Sequence, residues 1–192
     1  PTHFASSLQP FDIIVTMTSY ELKSQAERPL SPEVLERGKI DSLHFYPFKS
    51  GRGIDTNSLP IRELGPWMDR EVMLVRNGKK VSQREESLLA TVIPKIVDGQ
   101  IVLTTENMPD LVLPEGNTEL TLNSDLWKKE VTLLDLGTEA CHWVCAAIGI
   151  PRQNWSQYRL GRRSPEYPRP LSQSWIDKPE GEVTLADGYP VL

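Results

Sequence analysis

One short loop holds the residues of this chain that are best suited to bind an anion. Residues 46–53, called the Lys49 loop here, read Tyr-Pro-Phe-Lys-Ser-Gly-Arg-Gly and include Lys49, Ser50, Arg52 and two glycines. Lysine and arginine supply full positive charge, and glycine permits the positive φ angles that turn successive backbone N–H groups toward one point. The loop therefore predicts a site for a phosphate or another compact anion.

Two further segments contain charges that could belong to the same site. Asp69 and Arg70 precede an apolar run, and residues 83–85 read Gln-Arg-Glu. Each candidate also has a structural interpretation: Lys49 as a solvated cation, Ser50 as a turn cap, and Arg70 as half of a local ion pair. Residue types alone leave both interpretations open.

The roles of two other groups of side chains are also not decided by their residue types. Residues 159–169 are rich in arginine and interrupted by proline, so they form either a solvated loop or a cover over the anion site. The tryptophans are expected to be anchors of the core or of a domain interface, because their large rings dominate such contacts.

Short apolar segments separated by turn signals predict a mainly β fold with an α+β component. Asn77-Gly78 and Asp98-Gly99 are strong signals for two-residue hairpins, and Pro94 is expected to interrupt or bulge one strand. Many short strands with close turns favour an antiparallel β-barrel, which leaves no open sheet edge. The expected strands are residues 40–46, 71–76, 79–83, 89–97, 100–105, 111–113, 119–122, 131–134 and 183–185.

One amphipathic helix is expected at residues 138–148, with Thr138 as its N-cap and Gly149 after its end. Cys141 and Cys145 are four positions apart on its apolar face. That spacing is poorly arranged for a disulfide, and two thiols without a second ligand pair do not make a structural zinc site. Both are expected to be buried thiols, with a redox pair as the alternative.

Composition narrows the class of protein. The chain has 192 residues with 39% hydrophobic and 24% charged residues, which is typical of a globular protein large enough to form its own core. Its net charge of −5 argues against a general nucleic-acid binder. No apolar run reaches the roughly 18 residues of a membrane span, and no signal peptide is evident, so a cytoplasmic location is expected.

The segments around the Lys49 loop, Arg70 and Gln83 together resemble the N-terminal β-barrel domain of MOSC proteins. That family carries a Tyr-Pro-x-Lys-Ser loop, a Gly-Leu…Asp-Arg segment and a Gln-Arg-Glu segment in this order. The resemblance implies an antiparallel β-barrel-like domain followed by a partial α/β MOSC segment. The expected parts are an N-terminal appendage at 1–38, the MOSC N-terminal β-barrel domain at 39–130, and the start of an incomplete MOSC domain at 131–192.

The resemblance also implies a cofactor, since MOSC proteins bind the molybdenum cofactor, a molybdopterin that ends in a phosphate. Lys49, Ser50 and Arg70 match cofactor-contacting positions of the family, and Gly188 and Tyr189 match another such stretch with different residue types. The family's molybdenum-ligating cysteine lies beyond the last residue of this segment. No metal ligand is therefore expected within it, and the catalytic residues are unknown.

In complete form, such a protein is expected to be an oxidoreductase that reduces small N-hydroxylated compounds with electrons from a donor protein. The segment alone is expected to be inactive. Two alternatives remain: a non-catalytic β-barrel module that binds a substrate or partner, and a molybdenum cofactor carrier or sulfur-transfer protein. No nucleic-acid polymer is expected as a partner.

Overall fold

The computed structural model of the chain describes residues 13–16, 21–23, 37–39, 42–62, 64–116, 119–170 and 182–186. The chain folds as two compact units. The first combines Pro1–His44 with Asp55–Trp67, and the second combines Phe45–Ile54 with Met68–Leu192. Lys49, Ser50 and Arg70 of the predicted site fall within the second unit.

Strands dominate the described residues, as the sequence predicted. They are β1 (Ile13–Thr16), β2 (Glu21–Lys23), β3 (Arg37–Lys39), β4 (Leu43–Phe45), β5 (Ile54–Thr56), β6 (Ser58–Arg62), β7 (Gly65–Pro66), β8 (Val72–Arg76), β9 (Lys79–Lys80), β10 (Ile93–Val97), β11 (Gln100–Thr104), β12 (Leu111–Val112), β13 (Thr121–Leu126), β14 (Lys129–Asp135) and β15 (Tyr158–Arg162). Helix α1 spans Gly137–Ala147, and 3-10 helices span Ser87–Thr91 and Arg152–Gln157.

The first unit contains a small antiparallel sheet in the order β1-β6-β7. Ile13 of β1 is opposite Ile61 of β6, and Val15 is opposite Leu59. A separate antiparallel pair joins β2 to β3.

A closed five-stranded barrel lies in the second unit, in the order β13-β14-β15-β8-β9. Its neighbours pair antiparallel except for β13 and β9, which pair in parallel through Asp125 and Lys79. A second antiparallel sheet has the order β10-β11-β12. The predicted mainly β class and β-barrel are confirmed.

Strand β8 is buried on both faces, which makes it the central strand of this unit. Met73 and Val75 pack with apolar residues of β13 and β14 inside the barrel. Val72 and Leu74 alternate with them and pack in a larger cluster that includes residues of α1. A strand with two buried faces loses the usual polar alternation, which explains its uninterrupted apolar sequence.

Both predicted hairpins are present, but the strand expected at residues 89–97 is not continuous. The 3-10 helix covers its first residues, and β10 begins only at Ile93. Pro94 lies within β10 opposite Leu103, with no bulge in the register. Because β10 is an edge strand of its sheet, the missing N–H of Pro94 costs no ladder hydrogen bond there.

The predicted helix is confirmed, although its N-terminal cap is not Thr138. The helix begins at Gly137, whose N–H donates to the Asp135 carboxylate at 2.8 Å. Gly137 has φ 86°, a conformation that favours glycine over residues with a side chain. At the other end, Gly149 adopts φ 72° and ends the helix as predicted.

The two cysteines are free and buried on α1, as predicted. A hydrogen bond with Cys145, followed by burial, raises the pKa of the Cys141 thiol. Since the thiolate is the reactive and metal-binding form, this environment disfavours that form at Cys141.

A polar triad ties β15 to β8 beside the larger apolar cluster. The Tyr158 hydroxyl donates to Glu86 Oε1 at 2.8 Å, and Arg76 Nη1 donates to both groups at 3.2 and 3.1 Å. Tyr158 is only 4% exposed, and its burial is the main cause that raises the pKa of its phenol. The protonated form of Tyr158 is therefore part of the folded state.

Tyr158→Phe is expected to lower the free energy of unfolding by about 1–2 kcal/mol at neutral pH, because it removes a hydrogen bond to a carboxylate. The raised pKa contributes to the stability of the wild type. This contribution is complete below the ordinary tyrosine pKa of about 10 and is lost as the pH rises above it. Denaturant titrations at about pH 8 and about pH 10.5 should show this loss in the wild type and a smaller loss in the variant. Tyr167→Phe, at an exposed tyrosine, is the control and should match the wild type. Equal alkaline losses in Tyr158→Phe and wild type would contradict the assignment.

Candidate functional site

The Lys49 loop is anchored on the central strand of the second unit. Phe48 is fully buried and forms an isolated parallel bridge with Val72. The Lys49 N–H donates to the Val72 carbonyl at 2.7 Å, and Lys49 is itself only 5% exposed. The lysine is thus held against a rigid strand, and its interpretation as a solvated loop cation is wrong.

The two glycines of the loop do not act as the sequence suggested. Ser50 adopts positive φ (67°), whereas Gly51 and Gly53 do not. The N–H groups of Gly51 and Arg52 donate within the protein, to the Phe48 and Val92 carbonyls at 2.9 Å. The expectation that glycines turn consecutive N–H groups toward an anion is therefore wrong at these positions, and side chains must supply most of the donors.

Both glycines are instead required by close packing against aromatic rings. A Cβ added to Gly51 would lie 3.0 Å from Cδ1 of Phe48, and one added to Gly53 would lie 2.9 Å from Cε1 of Tyr46. The second contact matters for the site, because the Arg70 guanidinium carbon lies 4.5 Å from the centroid of that Tyr46 ring. Gly53 thus leaves room for the ring on which Arg70 stacks.

Asp69 organises this part of the site. Its carboxylate is 1% exposed, and its Oδ1 accepts the Tyr46 backbone N–H at 2.7 Å. Arg70 Nη1 donates to the same carboxylate at 2.6 and 2.5 Å. The Arg70 N–H also donates to the Tyr46 carbonyl at 2.7 Å. The ion pair considered from the sequence is present, and it fixes Arg70 in place beside the loop.

The Gln-Arg-Glu segment closes the other side of the loop. Gln83 Nε2 donates to the Ser50 carbonyl at 2.9 Å. Glu85 accepts hydrogen bonds from the hydroxyl and backbone N–H of Ser82 at 2.6 and 2.8 Å, and these bonds lower the pKa of its carboxyl. Gln83 rather than Arg84 makes the structural connection, and Arg84 is exposed.

These elements enclose an open pocket of about 290 Å³. Lysine and arginine side chains contribute four of its lining residues, and no aspartate or glutamate is among the described residues that line it. The lining residues are Tyr46, Lys49, Ser50, Gly51, Arg70, Lys80, Ser82, Gln83, Arg84 and Trp127. The lining of this pocket is therefore basic although the chain carries a net negative charge, and one of its cations, Arg70, is already paired with Asp69.

Three of the predicted site residues therefore meet in one pocket: Lys49, Ser50 and Arg70. Gly188 and Tyr189 lie outside the described residues. The chain before them passes Arg70, since the Leu185 N–H donates to the Arg70 carbonyl at 3.3 Å. The strand expected at residues 183–185 is wrong, because only an isolated bridge between Pro170 and Glu182 forms there.

The arginines of residues 159–169 do not line this pocket. Arg163 pairs with Glu71 at 3.1 Å, and Arg169 Nη1 donates to the Thr184 and Ala186 carbonyls at 2.7 Å. Their described contacts are structural, so the idea that they cover the anion site is wrong for the described residues.

Sequence reasoning missed Lys80, Ser82 and Trp127. Trp127 was expected to be an anchor, yet it is 44% exposed and its ring centroid lies 4.5 Å from Lys80 Nζ. One signal could have found it: Trp127 and Lys128 occupy the two-residue turn between β13 and β14, where a glycine or asparagine is usual.

Comparison with known protein families shows which family this chain belongs to. The family model described as the MOSC N-terminal beta barrel domain matches residues 37–151, more than half of the chain. This chain belongs to the MOSC N-terminal beta barrel family. The match includes the Lys49 loop, Arg70, the Gln-Arg-Glu segment and the turn at Trp127, so the whole described pocket lies within the family domain.

The curated relatives are much longer proteins. Molybdenum cofactor sulfurase of Drosophila grimshawi is 25% identical over 154 residues, covering 76% of this chain and 19% of that protein. Molybdenum cofactor sulfurase of Drosophila persimilis is 32% identical over 142 residues, covering 67% of this chain and 18% of that protein. The MOSC chain described here thus spans less than a fifth of either relative.

A solved structure, a solution structure of a Bordetella bronchiseptica protein, is 18% identical with a TM-score of 0.42, covering 55% of this chain and 86% of that chain. Within the described residues, no helix is long and apolar enough to cross a membrane. The described residues also hold no group of three or more histidine, cysteine, aspartate or glutamate side chains arranged to bind a metal ion.

Asp69→Asn is expected to lower the free energy of unfolding by about 1–3 kcal/mol, because it removes the charged acceptor of Arg70 and weakens the bond to the Tyr46 N–H. Chemical denaturation of wild type and variant measures this difference. Asp55→Asn is the matched control, since Asp55 is 86% exposed and pairs with a half-exposed His44. It should stay within about 0.5 kcal/mol of the wild type. Equal effects of the two substitutions would show that Asp69 does not organise the site.

Proposed function

We propose that this segment binds the phosphate-bearing pterin of the molybdenum cofactor in the pocket beside the Lys49 loop. One observation carries the proposal: Lys49, Arg70, Lys80 and Arg84 converge on a pocket without a lining carboxylate in the described residues. Basic side chains gathered in one cleft attract an anionic ligand, even on a chain of negative net charge.

The donor chemistry fits a phosphorylated pterin. Lys49 provides a compact charge at the base of the loop, and Ser50 and Ser82 provide hydroxyl groups. Among the described contacts, Arg70 Nη1 donates to Asp69, and the guanidinium carries further N–H donors on its other two nitrogens. An arginine fork recognises the oxygens of a phosphate or the polar edge of a pterin.

The size of the pocket fits part of such a ligand. Its volume of about 290 Å³ is just below the roughly 300–1,000 Å³ that is usual for small-molecule sites. When bound, the cofactor supplies the metal chemistry, while the protein contributes binding, orientation and electrostatics. The role of this segment is accordingly to hold and orient the ligand by its anionic end.

The activity of the complete protein is a separate proposal. The two Drosophila relatives are named molybdenum cofactor sulfurases, which favours sulfur transfer to the cofactor over the reduction of N-hydroxylated compounds. The oxidoreductase, its electron-donor protein, the cytoplasmic location and the division at residues 38 and 130 stay predictions from the family resemblance. Binding by Gly188 and Tyr189 stays a prediction as well.

Lys49→Met tests the cofactor site, because it removes the buried charge and keeps most of the side-chain volume. The chain is produced in cells that make the molybdenum cofactor, and released pterin is measured by fluorescence against protein concentration. The wild type is expected to retain pterin. The amount retained by the variant should be at least about tenfold smaller, which is the effect of losing a hydrogen bond to a charged group.

Lys95→Met is the matched control, since Lys95 is exposed on β10 and does not line the pocket. It should retain as much pterin as the wild type, and circular dichroism should show that both variants are folded. A wild type without pterin, or a Lys49→Met variant that retains the wild-type amount, would contradict the proposal.

A further inference from the structure

The turn between β13 and β14 is built from residues that do not favour its conformation. Trp127 and Lys128 have φ angles of 58° and 62°. Consecutive positive φ angles are typical of the tight hairpin turns that match the strand twist, and those turns normally contain asparagine, aspartate or glycine. A tryptophan and a lysine in this conformation are strained, because their Cβ atoms approach the backbone.

Two other hairpins of the same unit, which also have two-residue turns, contain the residues that usually occupy such turns. Asn77 and Gly78 have φ angles of 49° and 73°, and Asp98 and Gly99 have angles of 49° and 78°. The β13–β14 hairpin thus has the same φ signature without the residues that adopt it readily. The conformational preference of the turn therefore does not explain Trp127, and strain of this kind is concentrated at ligand-binding positions.

The strained turn presents the Trp127 ring to the pocket. Its side chain lines the same pocket as Lys49 and is 44% exposed. Lys80 Nζ lies over the ring, 4.5 Å from its centroid, so this cation contacts one face of the indole. An exposed aromatic ring beside a cluster of cations combines a flat stacking face with an anion site.

We propose that Trp127 is a specificity-determining residue that stacks on a planar ring carried by the anionic ligand. The pocket would then prefer phosphate esters attached to a heteroaromatic ring over phosphate esters without one. This inference rests on the proposed anion-binding function, and it adds the residue that recognises the planar ring of the ligand. The cations attract the phosphate, and Trp127 distinguishes among the molecules that carry it.

A simple structural role for Trp127 makes the opposite prediction for stability. If the ring mainly stabilises the hairpin by packing on Lys80, its removal should destabilise the chain. If the turn is strained to present the ring, the double substitution Trp127→Asn with Lys128→Gly should stabilise the chain. This Asn-Gly variant has the same turn residues as the hairpin at Asn77 and Gly78. We expect its unfolding midpoint to rise by about 2–4 °C.

Binding of guanosine monophosphate and ribose 5-phosphate tests the proposal, because the two ligands differ in the planar base. Isothermal titration calorimetry should show that the wild type binds guanosine monophosphate about 5- to 100-fold more tightly. The Asn-Gly variant should bind both ligands with similar affinity, and its affinity for ribose 5-phosphate should stay within about twofold of the wild type. Trp127→Phe should keep most of the preference.

Each contrary result has a separate meaning. If the wild type binds both ligands equally, or the Asn-Gly variant keeps the preference for guanosine monophosphate, Trp127 does not recognise a planar ring. The proposed anion site is not contradicted by either result. If the Asn-Gly variant is less stable than the wild type, the turn is not strained for function and the inference fails. If the wild type binds neither ligand, the anion site fails and the role of Trp127 fails with it.

Discussion

The buried carboxylate of Asp69 is the constraint on which the rest of the site depends. It is 1% exposed and must be neutralised, and the Tyr46 N–H and the Arg70 guanidinium do this at 2.5 to 2.7 Å. Because these partners lie at the start of the Lys49 loop and before β8, one side chain fixes two segments together. The same bonds hold Arg70 at a strained φ of 50°, over the Tyr46 ring.

Local charge placement reconciles a chain of net charge −5 with a cationic pocket. No aspartate or glutamate lines the pocket among the described residues, whereas four basic side chains do, one of which, Arg70, is paired with the buried Asp69. Net charge describes long-range behaviour, while a ligand in a pocket experiences the nearest few groups. Strained backbone is present there too, at Ser50, Arg70 and Trp127.

The sequence predicted the barrel, the helix, Lys49 and Ser50 from local signals: the Asn-Gly and Asp-Gly turns, the apolar periodicity and the residue types of the Lys49 loop. Arg70 was assigned to the site by the family resemblance. The sequence did not predict the role of Gly53, which depends on a ring that the fold brings close. It also missed Lys80 and Trp127, which a parallel pairing between β9 and β13 brings near each other. Long-range pairing of this kind has no local signature, so the sequence could mark the unusual turn at Trp127 but not its position beside Lys80 in the pocket.

Amide chemical-shift mapping by nuclear magnetic resonance tests the central claim most directly. Titrating the isotope-labelled chain with inorganic pyrophosphate reports which backbone groups surround the anion, without relying on any substitution. The account predicts saturable shifts that cluster at Lys49, Ser50 and Gly51, at Arg70, and at residues 80–84. Shifts confined to other surfaces, or no saturable shifts at all, would contradict the claim that this pocket is an anion site.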